Sequence, residues 1–283
     1  MKEFKIRCSQ IGKIMGQPRT KAAREAGELS QTAKSHCDLW LREQIYHRKY
    51  EFKSKQTDKG NLVEASSIDF IADQLGLGIL SKNEERFEND YMTGTPDILL
   101  PDMVIDAKNS WDWTTLPVFD AEIPNKDYPW QGQGYMILTK RDRFLDIYVL
   151  SDTPNKLIRK EAYFFARDMG LKDADDKIYD TFAAKMTYPD VTNALKFRVF
   201  EVDKDPKAHE LIKAQVKKCR AYIDNQIRFV LAEWLAINTS KRLVGIKDIR
   251  NKYLENNSKE ELISIIGKDF DDGEQYLREI NVI

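Results

Sequence analysis

Cysteine and histidine are scarce in this 283-residue sequence, at three each. The cysteines Cys8, Cys37 and Cys219 are odd in number and far apart, which argues against a disulfide framework. No CxxC pair and no Cys/His cluster occurs, so a zinc or iron–sulfur site built within the chain is not expected. Long apolar runs are missing too, and none approaches the ~18–20 residues that a membrane span needs. The opening MKEFKIRCSQ lacks an apolar signal core, and a cytoplasmic protein is expected. Nor is there an excess of one charge: 45 basic and 46 acidic side chains leave a net charge of −1. Nucleic-acid-binding domains are often strongly basic, yet a local basic groove steers a polyanion whatever the total charge.

What is present suits a soluble globular chain, with 42% hydrophobic and 32% charged residues. The length allows one elaborated domain or a domain with a helical appendage. Ser9 reads as the N-cap of a short helix ending near Gly16. Residues 21–29 suit a mobile loop or a weak helix. Ser30 caps a predicted helix to about Tyr50, and another runs from about Asp58 to Leu75, ended by Gly76 and Gly78. Then the pattern shortens. Residues 85–92, 95–100 and 103–109 read as three strands of a sheet, the last two forming a hairpin around Pro101-Asp102. Pro129 suits the first turn of a helix to about Thr139. Residues 143–150 form a buried strand, 195–202 a late one, and 206–237 a long helix. The polar stretch from Asn238 carries short helical patterns. The expected fold is α/β, a mixed central sheet flanked by helices with a mainly helical C-terminal part. The domains fall at 1–205 and 206–283.

The chemistry lies in Thr95-Pro96-Asp97 and Asp106-Ala107-Lys108. Strand alternation puts Asp106 and Lys108 on one face, with Met103, Ile105 and Ala107 on the other, toward a core. Neighbouring strands bring Asp97 beside Asp106, where two carboxylates repel and a divalent cation relieves the repulsion. Mg²⁺ suits such hard oxygen ligands and keeps several waters; the Ala107 carbonyl is a further candidate ligand. Glu64, on the preceding helix four residues after Gly60, can add a third carboxylate. Lys108 beside the ion would lose proton affinity or orient the attacking water. Gln131 and Tyr135 share a helix face, suited to a phosphate, a base or the lysine. Gly132 and Gly134, each costing roughly 1 kcal/mol against Ala, suggest close packing.

The order Glu64, Thr95-Pro96-Asp97, Asp106-Ala107-Lys108, Gln131-xxx-Tyr135 resembles the RecB-like branch of the PD-(D/E)XK nucleases. Within it, the chain is similar to the YqaJ and lambda exonuclease type of phage recombination nuclease, which has a Ser-x-x-Gly-like segment matched here by residues 8–16. The likeness covers roughly the first 150 residues. It implies a restriction-endonuclease-like fold, Mg²⁺ (or Mn²⁺) held by Glu64, Asp97 and Asp106, and Lys108 as catalytic lysine. Ser9 and Thr95 match positions that contact a terminal 5′-phosphate. Asp106 stands where the family often has Glu, which shortens one ligand. The implied activity is 5′→3′ digestion of duplex DNA. By the same analogy a homo-oligomer encloses the DNA and a single-strand annealing protein is a partner. An endonuclease using the same site, or a silent DNA-binding module, are the rival readings. Trp111, Trp113 and Trp130 suit base stacking or packing alike. The run 140–143 is a candidate phosphate-contacting loop, the run 213–220 a solvated face, and His36, His47 and His209 carry no assigned role.

Overall fold

The computed structural model describes residues 1–240 and 244–283; residues 241–243, in the polar C-terminal stretch, lie outside it. In chain order the elements are β1 (Ile6–Arg7), α1 (Ile11–Met15), α2 (Lys21–Glu25), α3 (Gln31–Ile45), α4 (Lys55–Leu75), β2 (Phe87–Glu88), β3 (Met92–Gly94), β4 (Ile98–Leu99), β5 (Met103–Asn109), α5 (Tyr128–Thr139), β6 (Arg143–Val149), α6 (Asn155–Asp168), α7 (Asp176–Met186), β7 (Phe197–Asp203), α8 (Pro206–Thr239), α9 (Ile246–Asn256), α10 (Lys259–Asp269) and α11 (Gly273–Glu279). They form two compact units. One comprises residues 7–9 and 52–209, the other residues 1–6, 10–51 and 210–283. The last break lies at 209/210, where the sequence reading has 205/206. Residues 10–51, assigned from sequence to the core, group instead with the C-terminal helices.

The unit containing 52–209 is built on a four-stranded mixed sheet, order β4-β5-β6-β7. β4 and β5 form the expected hairpin, closed by the Leu100 amide donating to the Met103 carbonyl at 3.0 Å. β5 and β6 are parallel, so a crossover is required, and residues 110–127 with α5 supply it. β7 returns antiparallel to β6. α4 starts at a Ser54 cap and stops at Gly76, whose φ of 63° suits a left-handed helix end. Its Ile68 and Ile71 pack on Ile98, Ile105, Leu145 and Ile147 across one face of the sheet. Full burial of such side chains contributes about 1.5–3 kcal/mol each. The other face carries α5. A Cβ on Gly132 would lie 2.2 Å from the Phe144 ring, so only glycine lets α5 lie directly on β6.

Several local expectations change. Residues 85–92 are not one strand. Asn89 accepts from the amides of Tyr91 (2.8 Å) and Met92 (3.0 Å) and turns the chain between β2 and β3. A turn-forming Asn outweighs the strand-like pattern around it. These two strands belong to a separate sheet, order β1-β3-β2. The strand expected over 95–100 is reduced to Ile98–Leu99. Ser9 is not a cap: it lies in a 3-10 turn spanning Cys8–Gln10, and α1 has no side-chain cap.

In the other unit, Ser30 caps α3 by accepting from the Ala33 amide at 3.2 Å, but the helix ends at Ile45, short of Tyr50. Cys37 and Leu41, at helical spacing, are buried, while Ile45 one turn further on is half-buried. Residues 21–29 include a capped short helix, α2. A capping box between Ser258 and Glu261 opens α10. Among the described residues, no helix is long and apolar enough to cross a membrane.

Candidate active site

The β4–β5 hairpin and α5 bring the motif residues together. β4 stops after two residues, so the edge of β5 beyond Ile105 has no strand beside it. Asp97 fills that gap: its Oδ2 accepts from the Ala107 amide at 2.9 Å. The N–H and C=O of a strand residue point to the same edge, so the Ala107 carbonyl faces Asp97 too. On the α5 face of the sheet, Lys108 forms an ion pair with Asp106. Met103, Ile105 and Ala107 face α4 and the core, as alternation predicts.

Gln131 joins the two charged residues. Its Nε2 donates to Asp106 Oδ1 at 3.0 Å, and its Oε1 accepts from Lys108 Nζ at 3.2 Å. Tyr135, one turn later, has its hydroxyl 3.2 Å from Gln131 Nε2 and donates to the Thr95 carbonyl at 3.2 Å. α5 thus ties the strand carrying Asp106 to the segment carrying Asp97. The Lys108 amine also lies 4.2 Å from the Tyr128 ring centre, a cation–π contact. Gly94 leaves room for this arrangement, since a Cβ there would meet Cys8 Sγ at 2.7 Å and the Tyr135 ring at 2.8 Å.

The electrostatics follow from burial and crowding. Burial, with Asp106 close by, raises the Asp97 carboxyl from 3.8 to about 7, against the opposing Ala107 hydrogen bond and Lys108. Burial likewise raises Asp146 to about 7, with Lys108 pulling it down and Asp106 pushing it up. For Lys108 burial acts to lower the pKa, but Asp106 and Asp146 outweigh it and hold the amine above its ordinary value. Burial pushes the Tyr135 phenol well up, so it stays a donor.

Glu64 stands at the margin of this cluster. Its Oε2 is paired with Lys82 at 2.6 Å, and its charge has only a minor effect on Asp97. Among the described residues, no three His, Cys, Asp or Glu side chains form a ready-made metal cage. The donors that do converge still suit a hard divalent ion. Asp97 and Asp106 repel each other, and a carbonyl faces the same edge; two carboxylates and a carbonyl fit an ion that keeps most of its waters.

Ser9 and Thr95 line one cavity of about 230 Å³, together with Arg7, Cys8, Arg86, Thr93, Gly94 and Tyr135. The two arginines carry no spacing signal in the sequence and went unmarked there. Asp146 also escaped notice, as one of several residues on a buried strand. Arg141, in the loop proposed for phosphate, is instead engaged with the Leu100 and Thr139 carbonyls at 2.9 and 2.6 Å. Trp113 is exposed, while Trp111 takes the Lys55 amine over its ring at 4.8 Å.

No family model matches the chain, and no curated protein sequence does. Solved structures do. A phage-related exonuclease from Haemophilus somnus 129PT is 29% identical, with a TM-score of 0.65 over 80% of this chain and 96% of its own. The alkaline exonuclease of Laribacter hongkongensis shares the fold at 13% identity, with a TM-score of 0.54 over 80% of this chain and 91% of its own. Its complex with dAMP gives a TM-score of 0.56 at 14% identity, over 82% of this chain and 94% of that one. The mixed sheet and motif order agree with these exonuclease neighbours, and the similarity to the phage-related exonuclease supports the resemblance to the YqaJ and lambda exonuclease type of PD-(D/E)XK nuclease.

Proposed function

We propose that the chain is a Mg²⁺-dependent exonuclease of duplex DNA, digesting 5′→3′ in phage-type recombination, with Mn²⁺ able to replace Mg²⁺. The observation that carries this reading is Gln131. One amide joins Asp106 to Lys108, so acid and amine are fixed relative to each other before substrate arrives. Asp97, Asp106 and the Ala107 carbonyl would hold the ion, with Glu64 as an outer carboxylate; when bound, it polarises a phosphoryl oxygen and lowers the pKa of a water. Lys108 would serve as a charged donor to the attacked phosphate or to the attacking water. Gln131 orients that amine. Tyr135 holds the Thr95 carbonyl and, through it, the segment leading to Asp97.

The cavity around Ser9 and Thr95 supports digestion from a 5′ end. Hydroxyls and two guanidinium groups suit a terminal phosphate, because Arg pairs with phosphate through parallel charge-assisted hydrogen bonds. Thr95 lies two residues from Asp97, so an end seated in the cavity is adjacent to the ligand segment. A homo-oligomer around DNA and a single-strand annealing partner follow from the resemblance.

The test is one gel assay on 5′-phosphorylated linear duplex, 5′-hydroxyl duplex, single strand and closed circle, with and without Mg²⁺. Expected is Mg²⁺-dependent loss of linear duplex, fastest with the phosphate, and intact circles. Nicked or cut circles would replace this reading with an endonuclease. Binding without hydrolysis under either metal would make the chain a silent module.

A further inference from the structure

Asp146 plays no part in the reading above, yet its surroundings are those of a working carboxylate. It sits mid-strand on β6, directly across the parallel ladder from Asp106. Paired residues on neighbouring strands project to the same face, so its side chain lies on the Asp106 and Lys108 side. It is 0% exposed, and neither carboxylate oxygen has a hydrogen-bond partner. A buried carboxylate in that condition costs folding free energy that an apolar residue would not. Lys108, Asp106 and Asp97 are the charges that act on it.

We propose that Asp146 is a positioning residue for Lys108, the anion that receives the ammonium when a divalent cation engages Asp106. The proposal rests on the metal-dependent reading of the site. Lys108 now sits against Asp106 Oδ2, with Gln131 Oε1 as a further acceptor. A cation drawn to Asp106 competes for that oxygen and repels the ammonium. The side chain of Lys108 is only 18% exposed, so little water is at hand to receive the charge. Asp146 offers two uncommitted oxygens one strand away. Above pH 7, where Asp146 is already ionised, the exchange makes and breaks no covalent bond, and the proton stays on Nζ. Without Asp146 the displaced ammonium would lack an anion, and cation binding would weaken.

The experiment is a calorimetric titration of Ca²⁺ into the full chain after EDTA treatment, without DNA. Four proteins are compared: the parent, Asp146→Asn, Lys108→Met and the double variant. With Lys108 present, Asp146→Asn should weaken Ca²⁺ binding about tenfold or more, the size expected of a hydrogen bond to a charged group. In the Lys108→Met background the same change should matter by less than about threefold, since the coupled partner is gone. In steady-state assays with saturating Mg²⁺, Asp146→Asn should lower kcat and leave KM for DNA unchanged. Equal weakening in both backgrounds would mean that Asp146 acts on the cation directly, and would overturn the proposal. So would unchanged affinity in Asp146→Asn. Failure of the parent to bind Ca²⁺ would instead remove the metal reading itself, and the proposal with it.

Discussion

Replacing Asp146 by Asn should stabilise the metal-free protein, and the gain should depend on pH. The carboxyl is held at about 7 rather than at its ordinary 3.8. That displacement of roughly three pH units, at ~1.4 kcal/mol each, sets an upper bound of about 4 kcal/mol. Between the two values the folded protein keeps a proton that the unfolded chain releases. Raising the pH through that window therefore favours unfolding, and above pH 7 the full destabilisation is expressed. Asn has the same shape and no proton to lose. Allowing for relaxation around the charge, the variant should gain about 2–4 kcal/mol at pH 8 and about 1 kcal/mol at pH 4.5. Urea denaturation in EDTA at the two pH values measures both. A variant no more stable than the parent at pH 8, or equally stabilised at both values, would refute the argument that burial and neighbouring charge strain this carboxylate.

Other outcomes follow from the same geometry. Asp106→Ala and Lys108→Ala should each lower kcat by about 10²–10⁴-fold, as loss of a proton-handling or charge-stabilising group does; steady-state digestion of linear duplex checks this, and parent-like rates in both would end the site assignment. Gln131→Ala should cost roughly 100-fold in kcat through misplacement of the amine, with KM for DNA little changed. Arg7→Ala should raise KM for 5′-phosphorylated ends by about 10–100-fold, the worth of a charge-assisted hydrogen bond, while leaving 5′-hydroxyl ends unaffected. Gly132→Ala should destabilise the fold by about 1–3 kcal/mol through overpacking against Phe144, and Phe144→Leu should recover part of the loss in thermal melts.

The hairpin at Pro101-Asp102 and the shared face of Asp106 and Lys108 were legible because strand periodicity and turn residues are local signals. Spacing alone also placed Gln131 and Tyr135 together on α5. Asp146 was hidden because a strand buried on both faces shows no polar alternation to read, and only the β5–β6 register reveals what lies beside it. Arg7 and Arg86 line the same cavity across a long sequence separation, so no motif spacing could pair them. The grouping of residues 10–51 with the C-terminal helices is hidden for the same reason. Asn89 was the one readable warning that 85–92 turns back on itself.

The bond from the Ala107 amide to Asp97 does two jobs at once. Where a longer strand would continue the ladder, a side chain completes it, so the hairpin cannot close in register without setting the spacing of its two acids. A slip of one residue would swing Asp106 into the apolar layer and leave Ala107 facing the substrate. Closing this hairpin in register and bringing its acidic pair together are thereby a single folding event.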